Sequence, residues 1–427
     1  LEPMQMWSWV GRLAGFLAVV AGSIGASAAP SWMLGPFERH PEENPVLGPD
    51  SSSLFHCPVL DKEVRWEAKD VFNPAAVTAN GTVYLVYRAE DEVGRLAGTS
   101  RIGLAHSDDG VRFERWSSEP VLFPQLDKFK AIEWEGGIED PRVVQADDGR
   151  FVMTYTAYDG TARLCVATSR DLRHWEKHGP AFAEAYAGKF TNTWTKSGSI
   201  VCRVASDGRL VAVQIEGVYW MYWGENFIHA ATSVDLVHWV PLTASSSVGQ
   251  YRGRPEHRGE SDTETPVPIF GPRRGMFDSE LVEPGPPAIV VPGEGILFIY
   301  NSKNKWCSSY HDGICRNGES DSRLAPGTYS AGQVLLSLDD PTKVLERTDD
   351  PFMKPEFTFE MTGQVANVVF VEGLVYHRGS WFLYYGTADS KIGVARSPSS
   401  VLTDVSERFG IVASSTGIDK GEGGDEL

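Results

Sequence analysis

The sequence has 427 residues, of which 42% are hydrophobic and 22% are charged, a composition typical of a globular protein long enough to bury a large core. Its formal net charge of -18 argues against nucleic acid and against an anionic membrane surface as partners, because both would repel the protein. A neutral ligand is easier to accommodate.

The first thirty residues predict a targeting segment. Arg12 is their only base, residues 13–22 form an apolar run too short to span a bilayer, and Ala26-Ser27-Ala28 matches a cleavage site. We therefore expect a signal peptide over residues 1–28 and a secreted or periplasmic mature protein that does not associate with the membrane. The terminal Gly424-Asp425-Glu426-Leu427 weakly matches a retrieval signal, so the lumen of the endoplasmic reticulum is an alternative location.

The cysteines and histidines predict no metal site. Five cysteines is an odd number, so at least one is unpaired in an exported protein, while Cys307 and Cys315 are close enough in a polar loop to form a disulfide. Neither C-x-x-C nor H-E-x-x-H occurs. We expect neither a bound metal nor an organic cofactor.

After the leader, short segments that alternate apolar and polar residues predict an all-β chain. A repeated unit, in which a strand ends in a Ser-x-Asp turn followed by an aromatic residue, begins its turns at Ser107, Ser169 and Ser233, which are 62 and 64 residues apart. Degenerate copies occur at Ser337 and Ser397. Five such units predict a five-bladed β-propeller.

The propeller is predicted to be one catalytic domain over residues 29–412, followed by a flexible acidic tail over residues 413–427. Residues 245–275 are rich in proline, glycine and charge, which predicts an exposed insertion outside the core. Asn80-Gly81-Thr82 predicts a tight hairpin turn and also matches a glycosylation acceptor.

Residues 136–142, Gly-Gly-Ile-Glu-Asp-Pro-Arg, present two acids on a constrained turn. The glycines allow a ligand to approach the backbone, and Pro141 disfavours helical geometry at Asp140. A surface ion pair between Asp140 and Arg142 is the alternative for this motif taken alone. In a propeller the innermost strand of each blade lines the central channel, so polar residues distant in sequence can share one pocket: Arg88, Asp140, Glu225, Glu283 and Asp389.

These motifs resemble those of glycoside hydrolase family 130, the β-mannoside phosphorylases and β-1,2-mannosidases built on five-bladed propellers. The resemblance rests on Phe72-Asn73-Pro74-Ala75-Ala76, residues 87–91, residues 99–103 and residues 136–142 in this order, and it extends from Trp32 to Ser390. It implies that Asp140 is the general acid, acting through the 3-hydroxyl of a mannose. It also implies the residues that surround this mannose: Asn73, Arg88, Asp91, Arg101 and Asp389.

The nucleophile decides between the two branches of this family. Its phosphorylases bind phosphate with basic side chains in the middle of the chain, whereas residues 214–225 contain no base here. Glu225 and Glu283 instead resemble the glutamate pair of the hydrolytic branch, and a carboxylate beside the nucleophile would repel phosphate. A hairpin-turn acid and a solvated loop acid are the alternatives for these two residues. Lys196 is a further candidate for substrate binding, since Lys196 and Arg142 could still bind phosphate.

The sequence therefore predicts an inverting, exo-acting glycosidase that releases mannose from β-1,2-linked mannosides without a cofactor. Asp140 is the expected acid, and Glu225 with Glu283 forms the base side. A β-mannoside phosphorylase using inorganic phosphate is the alternative with the same fold. A non-catalytic carbohydrate-binding propeller is the alternative from another class, although a pure binder needs no matched acid and base. The oligomeric state is left open.

Overall fold

The chain is described by a computed structural model over residues 30–92, 96, 98–244, 264–306, 310–311, 314–315 and 318–397. The predicted signal peptide, the predicted tail and Cys307 lie outside these ranges. Within them, three buried cysteines are free thiols: Cys57, Cys165 and Cys202. No group of side chains in these ranges could hold a metal ion, and none of their helices is long and apolar enough to cross a membrane.

The predicted all-β class is confirmed, and antiparallel pairing sorts the described strands into five groups in chain order after a first hairpin. The hairpin is β1 (Phe55–Cys57) and β2 (Lys62–Val64). The first group is β3 (Asp70–Ala79), β4 (Thr82–Glu90), β5 (Ser100–Ser107) and β6 (Glu114–Arg115). The second group is β7 (Gly137–Gln145), β8 (Phe151–Tyr158), β9 (Ala162–Ser169) and β10 (Trp175–Pro180).

The later groups follow the same order. The third group is β11 (Gly198–Val204), β12 (Leu210–Ala212), β13 (Gln214–Ile215), β14 (Val218–Trp223), β15 (His229–Ser233) and β16 (Val240–Pro241). The fourth contains β17 (Leu281–Pro284), β18 (Ala288–Val291), β19 (Gly295–Lys303), a separate hairpin of β20 (Tyr310–His311) and β21 (Ile314–Cys315), then β22 (Tyr329–Leu336) and β23 (Val344–Arg347). The fifth is β24 (Val369–His377), β25 (Ser380–Thr387) and β26 (Lys391–Arg396). The helical turns are α1 (Lys130–Glu133), a 3-10 turn (Ala185–Gly188) and α2 (Thr358–Met361).

The predicted Ser-x-Asp unit recurs with the same hydrogen bonds at Ser107, Ser169 and Ser233. In each turn the serine Oγ accepts the backbone N–H three residues later at 2.9 Å. The aspartate two residues after each serine accepts two further backbone N–H groups. These side chains supply hydrogen bonds that the turn backbone cannot make with a strand, which explains why the unit repeats.

Two other local predictions have different outcomes. The hairpin turn at Asn80-Gly81 is confirmed, with φ of 52° and 77°, as a type I′ turn requires. The predicted exposed insertion holds only in part for residues 264–275: none of them is fully buried, but Ile228 and Phe270 form a β-bridge and the Phe270 ring lies 5.5 Å from the Tyr300 ring. Apolar side chains attach this segment to the core despite its proline and glycine content. Residues 245–263 lie outside the described ranges.

The fifth group is completed by the start of the described chain. Glu38 and Leu47 form antiparallel bridges with Arg396 and Ile392 of β26. The Asn44 side chain also pairs with the backbone of Val394, at 3.0 and 2.7 Å. These bonds cover an edge strand that would otherwise expose unpaired N–H and C=O groups, and the resulting arrangement is propeller-like.

An interruption in the first strand of four groups positions polar residues. The register shifts within β3, β7 and β24, and β17 ends four residues before β18 begins. A polar residue lies at or next to each interruption: Asn73, Asp140, Glu283 and Glu372. Proline follows three of them, and a residue without an N–H cannot continue the ladder. The strands therefore turn these side chains out of the regular pleat.

Candidate active site

Asp140 lies in a buried polar cluster. Its Oδ1 accepts hydrogen bonds from Asn73 Nδ2 at 2.9 Å and from Arg88 Nη1 at 3.0 Å. Burial alone would raise the pKa of Asp140, but the positive charges of Arg88, Lys196 and Arg142 hold this pKa well below its ordinary value. Asp140 therefore carries a negative charge at neutral pH in the unliganded protein.

The Arg88 guanidinium joins several acids of the cluster. Its Nη2 donates to Glu90 Oε1 at 2.5 Å and to Glu139 Oε1 at 3.1 Å, and its Nε donates to Ser100 Oγ at 3.0 Å. Its carbon atom Cζ lies 4.6 Å from the centre of the Phe72 ring. A planar guanidinium held this way presents fixed donors and offsets the repulsion among the neighbouring carboxylates.

Lys196 is the counter-charge of Glu139. The Lys196 Nζ lies 3.5 Å from Glu139 Oε2, and the charge of Glu139 raises the pKa of Lys196 despite burial. Burial raises the pKa of Glu139, against the charges of Arg88 and Lys196. The ammonium group is thus charged and compensated by an acid.

Arg142 is committed to structural bonds. Its Nε donates to Gly285 O at 3.0 Å, its Nη2 to Pro284 O at 2.8 Å and its Nη1 to Asp140 O at 3.0 Å. Its side chain is 2% exposed and lies 3.1 Å from the carboxylate of Glu372. Arg142 therefore ties β7 to β17 and β24 behind the cluster, and its donors do not face an incoming phosphate.

The sequence prediction missed Glu372. Its side chain is completely buried, and burial raises its pKa well above the ordinary value even though Arg142 lies beside it. Glu372 lies at a strand interruption equivalent to those of β3 and β7, but it precedes Gly373 and not a proline, so the sequence did not mark it.

Glu225 and Glu283 are neighbouring carboxyl groups from different strand groups. Glu283 is buried and its Oε1 accepts from Ser197 Oγ at 2.5 Å. Glu225 follows β14, is partly exposed, and its Oε2 accepts from Trp194 Nε1 at 2.5 Å. Burial, followed by the charge of Glu225, raises the pKa of Glu283 to about 8. Glu283 therefore carries a proton at neutral pH.

Asp389 and Tyr329 connect the two sides of the cluster. Burial raises the pKa of Asp389 to about 7, with Arg88 opposing the shift and Asp140 adding to it. Burial, followed by the charges of Glu283, Asp389 and Glu225, raises the pKa of Tyr329. Glu283, Asp389 and Glu225 are thus all close enough to Tyr329 for their charges to act on it.

Asp91 and Arg101 lie elsewhere. In the pairing of β4 with β5, Arg88 is opposite Ile102 and Ala89 is opposite Arg101, so the two arginines project from opposite faces of the sheet. Arg101 Nη1 donates to Asp91 Oδ2 at 2.6 Å, and both side chains are 1% exposed. This pair is packed behind the strand that presents Arg88.

Of the nine predicted residues, seven are thus brought together: Asn73, Arg88, Asp140, Lys196, Glu225, Glu283 and Asp389. Acids outnumber bases among the described residues of the cluster, and hydroxyl groups of a neutral ligand could both donate to and accept from such side chains. One side carries an ionised acid among arginines, and the other carries two adjacent glutamates. This arrangement suits proton transfer at two positions of a polyhydroxylated molecule.

Comparisons with known proteins agree with this chemistry. Residues 38–408 match the model of glycoside hydrolase family 130, described as beta-1,4-mannooligosaccharide phosphorylase. The chain is 31% identical over 353 residues to the 1,2-beta-oligomannan phosphorylase of Thermoanaerobacter sp. strain X514, covering 80% of this chain and 95% of that protein.

Two solved structures are more similar in sequence. A glycosyl hydrolase from Bacteroides ovatus is 44% identical, with 86% of this chain and 96% of that chain covered and a TM-score of 0.76. Another is also 44% identical, with the same coverage and a TM-score of 0.77, and belongs to a study of family 130 hydrolases that target beta-1,2 mannosidic linkages in Candida mannan.

Proposed function

The chain belongs to glycoside hydrolase family 130, and we propose that it hydrolyses β-1,2-linked mannosides, removing single mannose units from chain ends. The neighbouring acids Glu225 and Glu283 carry this proposal, because two adjacent carboxyl groups can hold and activate a water molecule. Sequence identity of 44% to a structure from work on β-1,2-targeting hydrolases supports both the linkage and the use of water. The five strand groups are then five propeller blades around the site.

The charges around the site favour water over phosphate. A phosphate dianion needs uncompensated donors, preferably arginine or lysine. Arg142 donates to three backbone carbonyl groups, and the Lys196 Nζ lies 3.5 Å from Glu139 Oε2. An anion beside Glu225 would therefore meet repulsion without a matching cation.

Hydrolysis proceeds in one displacement. The oxygen of a water molecule bonds to the anomeric carbon while the bond from that carbon to the glycosidic oxygen breaks, which inverts the configuration. Glu225 accepts a proton from the water, and the protonated Glu283 helps to orient it. Asp140 supplies a proton to the leaving oxygen through the 3-hydroxyl of the mannose.

This role requires Asp140 to gain a proton when substrate binds. In the unliganded protein three positive charges favour its ionised form. A mannose in the cluster excludes water from Asp140, and desolvation raises the pKa of a carboxyl group. The hydroxyl groups also compete for the donors of Asn73 and Arg88, which now stabilise the negative charge.

Turnover of β-1,2-mannobiose with and without inorganic phosphate tests the proposal. The expected rate is the same in both, with mannose as the only product. A rate that rises with phosphate, together with mannose 1-phosphate as product, would establish the second candidate, a phosphorylase, which similarity to the oligomannan phosphorylase favours. Lys196 would then be the first residue to test as a phosphate ligand.

A further inference from the structure

A four-residue segment, Trp194 to Ser197, contacts three acids of the site. Trp194 Nε1 donates to Glu225 at 2.5 Å, and Ser197 Oγ donates to Glu283 at 2.5 Å. Between them, the Lys196 ammonium pairs with Glu139 at 3.5 Å. One short stretch of chain therefore contacts both sides of the cluster.

The backbone of this segment is fixed by neighbouring strand groups. Thr195 N donates to Ala162 O at 3.2 Å, and Thr156 Oγ1 donates to Lys196 O at 2.5 Å, which attaches the segment to the second group. Gly224 N donates to Ser197 O at 3.3 Å, which attaches it to the third group beside Glu225. Since Glu283 belongs to the fourth group, the segment links three groups at the site.

The two donors differ in their surroundings. Ser197 is completely buried, and its hydroxyl donates to the buried carboxyl group of Glu283. Trp194 is 48% exposed, and its ring packs edge-on against Tyr158 with centroids 6.4 Å apart. A partly exposed tryptophan contributes little core packing here, so its directed hydrogen bond to Glu225 is its most specific contact.

We infer that Trp194 and Ser197 are positioning residues that fix the orientation of the Glu225 and Glu283 carboxyl groups around one water molecule. Each donor fixes one oxygen of its carboxyl group, which leaves the other oxygen of each glutamate to face the water. Without the donors, the two carboxyl groups rotate and the water is held less often in line with the bond to be broken. A loss of alignment of this kind lowers the rate more than it weakens substrate binding. The inference rests on the proposed hydrolysis.

Trp194→Phe keeps an aromatic ring against Tyr158 but removes the N–H donor. The expected result on mannobiose is a fall in kcat of about tenfold, as for the loss of a hydrogen bond to a charged group, with KM nearly unchanged. Trp194→His, which retains a ring N–H, should recover part of the rate. Trp116→Phe is the matched control, because Trp116 is 43% exposed but packs against His106 and Arg173 instead.

Ser197→Ala removes the donor to Glu283, and this bond is one of the factors that lower the pKa of Glu283. Because ionisation of Glu283 removes the proton that helps to orient the water, kcat/KM should decline at alkaline pH. In Ser197→Ala this decline should move to higher pH, and Ser197→Thr should restore its position. Ser233→Ala is the control for structural damage: it removes the 2.9 Å turn bond to Leu236 N. It should lower the melting temperature without moving the pH profile.

The outcomes separate this inference from the proposed function. Mannose 1-phosphate as the product of the unaltered protein would overturn hydrolysis, whatever the variants do. If the unaltered protein releases mannose, a wild-type kcat in Trp194→Phe combined with an unmoved pH profile in Ser197→Ala overturns the inference alone. If Ser197→Ala and Ser197→Thr do not fold, Trp194→Phe, with its half-exposed side chain, decides the question by itself.

Discussion

Asp140 and Glu283 are both buried carboxyl groups, yet their surroundings move their pKa values in opposite directions. Three basic side chains oppose the effect of burial at Asp140, whereas an additional acid reinforces it at Glu283. In the unliganded site, therefore, the expected acid Asp140 is ionised, and Glu283 on the base side carries a proton. Substrate binding has to reverse the first of these states for catalysis.

Asp140→Asn should nearly abolish cleavage of mannobiose but spare aryl mannosides with activated leaving groups. A good leaving group departs without a proton, so loss of the acid costs it less, whereas general acid catalysis of a sugar leaving group is worth on the order of 10²-fold or more. Steady-state kinetics on both substrates measures this difference. Equal losses on the two substrates would remove Asp140 as the acid.

Glu225→Gln should lose more activity than Glu283→Gln, because glutamine resembles a protonated carboxyl group and Glu283 already carries a proton at neutral pH. The expected loss for Glu225→Gln is on the order of 10²-fold or more.

In the unaltered protein kcat/KM should fall as pH rises through about 8, where Glu283 ionises. A Glu283→Gln variant that keeps this alkaline decline would contradict the assignment.

Glu283→Gln should also stabilise the protein, increasingly so as pH rises. The folded protein holds the Glu283 proton up to about pH 8, whereas the unfolded chain releases it near its ordinary value of 4.5. Between these two pH values the free energy of unfolding of the unaltered protein therefore falls as pH rises. The variant lacks this contribution because glutamine does not titrate. Melting temperatures should agree near pH 4 and diverge by pH 8.5. A variant that is less stable at pH 8.5 would refute the raised pKa.

Interrupted strands are the elements that build the site, and only some of the interruptions could be recognised in the sequence. Asn73-Pro74, Asp140-Pro141 and Glu283-Pro284 are visible as polar residues before prolines, whereas Glu372 precedes a glycine and gave no such signal. Trp194 and Ser197 come from a connection without strand periodicity, so no pattern pointed to their contacts. The burial of Arg101 depends on strand register, which fixes the face that a side chain occupies only once pairing is known.

Gly386→Ala tests the packing of one interruption. A Cβ at Gly386 in β25 would overlap the side-chain oxygen of Asn73. The nitrogen of the same amide group donates to Asp140, so moving the amide would disturb this bond. The expected result is a large loss of activity, because Asn73 is displaced from Asp140. Gly48→Ala is the matched control, since its Cβ would meet only the flexible Lys391 side chain at 3.6 Å. Equal activity of the two variants would show that Asn73 tolerates displacement.

For the whole molecule, the strand repeat predicted the order of the groups better than their boundaries. Turns at Ser107, Ser169 and Ser233 define equivalent strands because their hydrogen bonds are local and visible in sequence. The pairing of Glu38 and Leu47 with β26 joins residues more than three hundred positions apart, and no local pattern encodes it. Likewise, residues 264–275 pack through Ile269 and Phe270 although their composition is that of a loop.

The molecule is acidic as a whole and acidic at its site, and both features favour a neutral sugar and water as reactants. In the proposed reaction the glutamate pair delivers water in a single displacement, which inverts the anomeric carbon. Proton NMR of the first turnovers of methyl β-1,2-mannobioside in phosphate buffer identifies the sugar released and its configuration before mutarotation, because the methyl group keeps the leaving mannoside from contributing a reducing end. The first free sugar should be α-mannose; free β-mannose, or α-mannose 1-phosphate, would contradict a single displacement by water.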